Sequence, residues 1–205
     1  MRPGTMDFRT FRSTFVSQYH LPPSGDRRRI RRILDLGANV GFTAADLASR
    51  YPAATVIAVE MDPDNCRCAE KNTEAFGERV RCLNAAAWID DRGVSYAPDA
   101  DCDAYCVSDG DPGPGARTVP SMTIAQLIDL LPDRRADFVK MDVEGAETAL
   151  LQPEDSGWLA RVGALNVEVH DFGAAGELGD LLEDAGFVVR RSTRHWSALE
   201  AWRAS

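Results

Sequence analysis

Apolar positions along this chain follow two rhythms. From Ile30 onward, short runs rich in Val, Ile and Leu, namely RILDL, TVIAVEM, RVRCLNAAA, ADFVKMDV and ALNVEVHDF, are bounded by Gly, Pro, Asn and Asp. Such runs read as buried strands. Between them lie FTAADLASRY, PDNCRCAEKNTEAF, SMTIAQLIDLL, EGAETALLQ and AAGELGDLLEDAG, whose apolar residues return every three or four positions, the helical period. Pro63 sits early in one of these helices and Gly186 closes another, each where a helix terminus favours it. FVVRRS and SALEAWRA predict a closing strand pair. Ahead of the first strand, Phe8, Phe11, Phe15 and Tyr19 share helical spacing and predict an amphipathic helix that LPPSGD ends. Residues 89–120 break both rhythms. They are rich in Asp, Gly and Pro, with room for short strands at VSYA and AYCV, and read as an insertion within the domain.

Strand and helix alternating in this way imply an α/β fold, a Rossmann-like doubly wound, mainly parallel sheet with helices on both faces. Its ligands bind beyond the carboxyl ends of the strands, where the strand order switches. The 205 residues divide into an N-terminal helical segment, 1–29, and one domain, 30–205. The N-terminal segment precedes the first strand, so Phe11, Phe15, Tyr19 and His20 are candidates for a substrate lid.

Charge and cysteine content narrow the function. Lys plus Arg number 23 against 32 Asp plus Glu, and a net charge of -9 repels a phosphate backbone, so a nucleic-acid partner is disfavoured. The one basic run, DRRRIRR from Asp26 to Arg32, reads as a solvated approach to the first strand. Five cysteines with no secretory leader argue against a disulfide framework and for a reducing cytoplasm, and Cys102 and Cys106 lack a nearby second ligand pair for zinc. No apolar run is long enough to span a membrane.

The candidate chemistry begins at the first strand's end, where Asp35, Gly37, Asn39 and Gly41 read D-x-G-x-N-x-G. Two glycines without Cβ atoms let the backbone turn sharply against a ligand. The third glycine of a dinucleotide fingerprint is missing, and Asp35 would oppose a pyrophosphate, so a ligand bearing an ammonium and a sulfonium suits the turn better. Glu60, followed by Met61, ends the second strand twenty-five residues after Asp35, about where a carboxylate reaches ribose hydroxyls. Asn84 and Ala85 end the third strand and border an adenine.

DLGANVGFTA, VIAVEMDP, LNAAAW, FVKMDVEGAE and LNVEVHD together resemble the FkbM family of S-adenosylmethionine-dependent methyltransferases over roughly residues 30–175. The resemblance implies the class I methyltransferase fold, seven strands with an antiparallel hairpin at the sheet's end, and transfer to a hydroxyl oxygen. It implies Asp35, Gly37, Asn39 and Gly41 for the methionine part, Glu60 for the ribose and Ala85 with its neighbours for the adenine. The acceptor it suggests is a small polar metabolite, a sugar or a natural-product intermediate.

A hydroxyl acceptor needs help in losing its proton. Lys140, Asp142 and Glu144 follow one strand, and Glu168 and His170 end the next. His170, with an ordinary pKa near neutrality, is the first choice of base. Asp142 is the alternative base or orients the acceptor, while Lys140 balances the carboxylates or polarises a substrate oxygen. Asp142, Glu144, Glu147 and Glu168 offer a second route, oxygen ligands for a divalent cation; Glu144 and Glu147 also suit the first turn of the following helix. Two further classes compete: a non-catalytic nucleoside-binding module and an NAD-dependent oxidoreductase.

Overall fold

The computed structural model describes residues 1–23, 30–96, 117–152, 156–171 and 173–204. The AYCV run, Cys102, Cys106, most of the basic run and most of the insertion lie outside the described residues. Seven strands form the main sheet: β1 (Arg32–Leu36), β2 (Thr55–Glu60), β3 (Val80–Asn84), β4 (Ala136–Met141), β5 (Val162–Glu168), β6 (Phe187–Arg191) and β7 (Ala198–Arg203). Their spatial order is β6-β7-β5-β4-β1-β2-β3. From β3 through β5 every pairing is parallel, and β7 runs antiparallel to both neighbours. The order reverses between β1 and β4, which puts the expected crevice at their carboxyl ends.

The alternation of side chains along each strand builds two cores, one per face. Ile33, Val56, Ala58 and Phe138 pack on Leu47, Ala44 and Tyr51, with Leu47 and Ala44 in the helix Phe42–Arg50. Leu34, Leu36, Ile57, Val59, Val139 and Met141 face the opposite way, into the larger core with Ile124, Leu150, Trp158, Leu178 and Leu182. Both faces are therefore covered, as the near-continuous apolar strands require.

Several element bounds differ from the sequence pattern. The N-terminal helix is short, Asp7–Arg12, and continues only as a π-helical turn, Ser13–Ser17, that Gln18 ends in the left-handed region at φ 55°. Tyr19 and His20 thus leave the helix and are buried, while Phe8 stays 68% exposed. RVRCLNAAA splits at Ala85: β3 ends at Asn84, and Ala86–Ala87 pairs instead with Ser121–Met122. The latter pair removes two residues from the predicted SMTIAQLIDLL helix, which starts at Ile124 behind a Thr123–Gln126 capping box. VSYA forms Val94–Tyr96, antiparallel to Arg117–Val119. The EGAETALLQ helix is reduced to Glu147–Leu150, because Glu144 and Gly145 both take positive φ, 52° and 102°, and hold the chain in a loop. Cys66 and Cys68 share the helix Pro63–Thr73, and with Cys82 they are free thiols. No helix among the described residues is long and apolar enough to cross a membrane.

Candidate functional site

Loops from the carboxyl ends of β1, β2, β3, β4 and β5 enclose a cavity of about 420 Å³ together with the N-terminal segment and the β6–β7 loop. That volume is of small-ligand size. After β1 the chain turns through Gly37 (φ 72°), Asn39 (φ 49°) and Gly41 (φ 80°). The turn is fastened to β2, since Gly37 and Ala38 both donate to the Val59 carbonyl. A Cβ on Gly41 would come within 2.7 Å of Ala69 Cα, so this glycine serves helix packing and lies off the cavity wall.

Glu60 ends β2 on the cavity wall, accepting from the backbone amides of Asn39 and Asp62, both at 2.8 Å. Burial raises its pKa to about 7 against the lowering effect of those amides. Each carboxylate oxygen has a second lone pair, so the group retains capacity to accept from a diol. Met61 and Ala85–Ala87 continue the wall with small and flexible side chains. Asn84 is off the wall. Its amide donates to the Glu60 and Met61 carbonyls, 3.0 and 2.8 Å away, and so fixes the end of β2 instead of bordering an adenine.

Asp35 and Lys140 are also below the surface. Asp35, fully buried, accepts from Thr43 Oγ1 at 2.6 Å and faces Lys140 Nζ at 3.5 Å. It holds the turn from beneath and does not reach a ligand ammonium itself. Lys140 donates to the Gly37 carbonyl at 2.7 Å and faces Asp142 at 3.3 Å. The carboxylate-balancing reading fits this geometry. Polarising a substrate oxygen does not, because Lys140 is 2% exposed and absent from the cavity wall.

Asp142, Glu144, Glu168 and His170 do meet in the cavity. Asp142 accepts from Tyr19 Oη at 3.2 Å. His170 sits between carboxylates: Nδ1 is 2.9 Å from Glu147 and Nε2 3.1 Å from Glu144. Burial opposes the charged ring, but hydrogen bonds to Glu144 and Glu147 outweigh it and raise the pKa to about 11. The near-neutral pKa expected from the sequence is thereby corrected, and His170 at neutral pH is an imidazolium with no lone pair to take a proton. Glu147, also accepting from the Val143 and Gly145 amides, anchors this loop and does more than complement a helix terminus.

The divalent-cation reading meets the same obstacle. Asp142, Glu168 and His170 each offer a donor atom within 4.8 Å of the others, and Glu144 is outside that set. Yet both His170 nitrogens donate to carboxylates, so the arrangement fits a proton-holding network better than a coordination site.

Of the lid candidates Tyr19 reaches the cavity, and wall residues that escaped the sequence patterns join it: Arg9, Thr10 and Ser13 from the N-terminal segment, and His195, Trp196 and Ser197 from the β6–β7 loop. His20 does not, being buried on Asp46 at 2.9 Å. Phe11 and Phe15 pack tilted against each other with ring centroids 4.8 Å apart, and both meet Phe42, outside the wall. The signal for the β6–β7 loop was its composition, His-Trp-Ser at the tip of a hairpin, too polar and aromatic for a bare turn.

These charges set a pH dependence. Glu168, pushed up to about 7 by burial and then by Asp142, joins Glu60 and His170 in binding its proton more tightly folded than unfolded. Their contribution is full at low pH and is lost as pH rises from about 4.5 through the raised values. Asp7, lowered to about 2 by its Arg2 bonds against an opposing burial cost, contributes above its ordinary value and loses that only in acid. His195, lowered by burial, opposes the first trend in a narrow range. The ligand-free protein should therefore show its highest Tm at about pH 5–6 and a steady decline toward pH 9. A Tm that climbs between pH 6 and 8 in differential scanning calorimetry would contradict these assignments.

The family model of the methyltransferase FkbM domain matches residues 35–189. The AMB antimetabolite synthetase AmbE of Pseudomonas aeruginosa is 27% identical over 82% of this chain, and the chain spans 10% of that protein's length. An O-methyltransferase family protein from Burkholderia thailandensis superposes with a TM-score of 0.53 at 17% identity, over 97% of this chain and 57% of that one. The Methanococcus jannaschii fibrillarin pre-rRNA processing protein gives 0.53 at 14% identity, over 91% and 72%. At such identities the two structures share the fold alone.

Proposed function

The chain belongs to the methyltransferase FkbM domain family, and from that premise we propose that it transfers a methyl group from S-adenosylmethionine to a hydroxyl oxygen of a small polar metabolite. The observation that carries the reading is the Glu60 carboxylate on the cavity wall, bonded to the amide of Asn39 in the glycine turn. A diol-accepting acid and a backbone turn thus share one wall, with the small Ala85–Ala87 beside them. Glu60 would hold the ribose, Ala85 and its neighbours the adenine, and Gly37, Asn39 and Asp142 the methionine part. The donor, when bound, supplies a methyl group on a sulfonium sulfur. The protein's own task is then alignment, because an oxygen held in line needs little further activation beyond loss of its proton.

The other half of the wall is polar and mixed in charge, with Arg9, Thr10, Ser13, Tyr19 and His195, which suits a hydroxylated acceptor. The net charge of -9 supports a small molecule over a nucleic acid. The name of the curated relative, an antimetabolite synthetase, supports a biosynthetic setting of the same kind. The N-terminal segment, which contributes Arg9 through Tyr19, is the natural lid.

Calorimetric titration with S-adenosylhomocysteine, followed by a screen of monosaccharides, polyols and hydroxy acids for methyl transfer, tests the reading. Glu60→Ala should weaken S-adenosylhomocysteine binding by about 1.5–3 kcal/mol, the loss of a charge-assisted hydrogen bond. Unchanged affinity would remove Glu60 from the site. Tight binding with transfer to no acceptor would favour a nucleoside-binding module, and binding of NAD in its place an oxidoreductase.

A further inference from the structure

His170 is occupied as a cation between Glu144 and Glu147, which removes it as the acceptor's base. We propose that His195 takes the acceptor's proton at Nε2, with Ser197 and Glu168 as positioning residues that fix its tautomer. The proposal rests on the methyltransfer reading above and adds a catalytic residue to it.

All three side chains are on the cavity wall. Ser197 Oγ donates to Glu168 Oε1 at 3.4 Å and lies 2.9 Å from His195 Nδ1. A hydroxyl has one proton. Once that proton is committed to Glu168, the second contact requires Nδ1–H to donate to Oγ, which leaves Nε2 as a bare lone pair. No partner engages Nε2 among the described residues, whereas both nitrogens of His170 are engaged by carboxylates. His195 is also at the end of the cavity where transfer would occur. Its ring is 5.7 Å from that of Tyr19, whose hydroxyl bonds Asp142 at the end of β4.

The electrostatic surroundings agree. The groups facing His195 are Glu168 on β5, Asp142 after β4, His170 in the loop beyond β5, and Arg9 and Tyr19 in the N-terminal segment. Burial first, then the positive charges of His170 and Arg9, keep the ring neutral against the pull of Asp142. Glu168 at 3.6 Å from Nδ1 is placed to stabilise the imidazolium that forms on proton uptake.

In the step, the acceptor oxygen's lone pair forms the new O–C bond as the donor's C–S bond breaks. That bond's electron pair returns to sulfur, leaving a neutral thioether, and the hydroxyl proton passes to Nε2. The resulting imidazolium then loses its proton to solvent, which restores the starting state.

The first test needs no acceptor. The chain has three histidines, so ¹⁵N-resolved imidazole spectra of the full chain can be assigned with single His→Gln variants. At pH 7.5 we expect His195 as the Nδ1–H tautomer with an unprotonated Nε2, and His170 doubly protonated. Ser197→Ala should move His195 toward a tautomer mixture while leaving His170 unchanged. A His195 found protonated on Nε2 would overturn the proposal. Diethyl pyrocarbonate should label His195 and spare His170, and S-adenosylhomocysteine should slow that labelling; faster labelling of His170 would also overturn it. With an acceptor from the screen, His195→Gln should lower kcat by ~100-fold or more at nearly unchanged product affinity and remove the acid limb of the kcat/KM profile. Full turnover with the limb intact would overturn His195 while sparing the methyltransfer reading. Failure of the wild-type chain to bind S-adenosylhomocysteine would instead overturn that reading, and this proposal with it.

Discussion

Lys140→Met is expected to lower the unfolding free energy by about 3–5 kcal/mol, the usual consequence of leaving a buried charge without its partner. The lysine ammonium sits between two carboxylates, 3.5 Å from Asp35 and 3.3 Å from Asp142. Burial works against its charge, yet Asp142, Tyr19 and Asp35 hold its pKa well above the ordinary lysine value. Its removal strands Asp35, whose Oδ1 has no hydrogen bond of its own. It also frees the Gly37 carbonyl, which accepts from Nζ at 2.7 Å. Urea titration should show a lower midpoint at an unchanged slope. The double variant Asp35→Asn, Lys140→Met should lose less than the sum of the single losses, because the charge the lysine answers is then gone. A loss below 1 kcal/mol for Lys140→Met would mean that water or a rearranged carboxylate already screens this layer.

This network explains what was legible in the sequence and what was not. Period-two alternation in RILDL and TVIAVEM encodes which residues face each core, and the two buried clusters follow it residue by residue. The turn residues and Glu60 were legible because backbone chemistry fixes them: a glycine where φ must be positive, an acid where the second strand ends. Depth was not legible. Asp35 and Lys140 pair on one rung and are buried beneath the loops, while Glu60 and Asp142, each two residues farther toward its strand's carboxyl end, reach the cavity wall. Nor did the sequence reveal His195. It lies on a hairpin far along the chain, and only the antiparallel pairing of β7 with β5 brings Ser197 to Glu168. For His170, the residue type suggested a base, and two neighbouring glutamates in the EGAE loop reversed its charge. Local sequence displays those glutamates but not the fold of the loop that turns them inward.

The second large effect is expected at Gly37→Ala. This glycine has φ 72°, a region that costs an L-residue on the order of 1 kcal/mol or more. The substitution also meets a fixed obstacle: a Cβ would overlap the Asp142 carbonyl oxygen. That carbonyl cannot retreat cheaply, because the Asp142 amide is bonded to Leu36 at the last rung between β1 and β4. Relief must come from the turn, which would pull Gly37 and Ala38 off the Val59 carbonyl and shift Asn39 from Glu60. Strain and lost bonds together should cost about 3 kcal/mol or more in stability. Affinity for S-adenosylhomocysteine should fall at least ~10-fold, since Asn39 and Glu60 both move. Gly179→Ala supplies the contrast: it lies in the helix Ala175–Asp184, where a Cβ meets nothing within 4 Å. There the change should stabilise the protein by up to about 1 kcal/mol through helix propensity and leave binding unaltered. If Gly37→Ala instead binds and unfolds like the parent, the turn has slack between β1 and β4, and its glycine is not what sets the shape of the cavity.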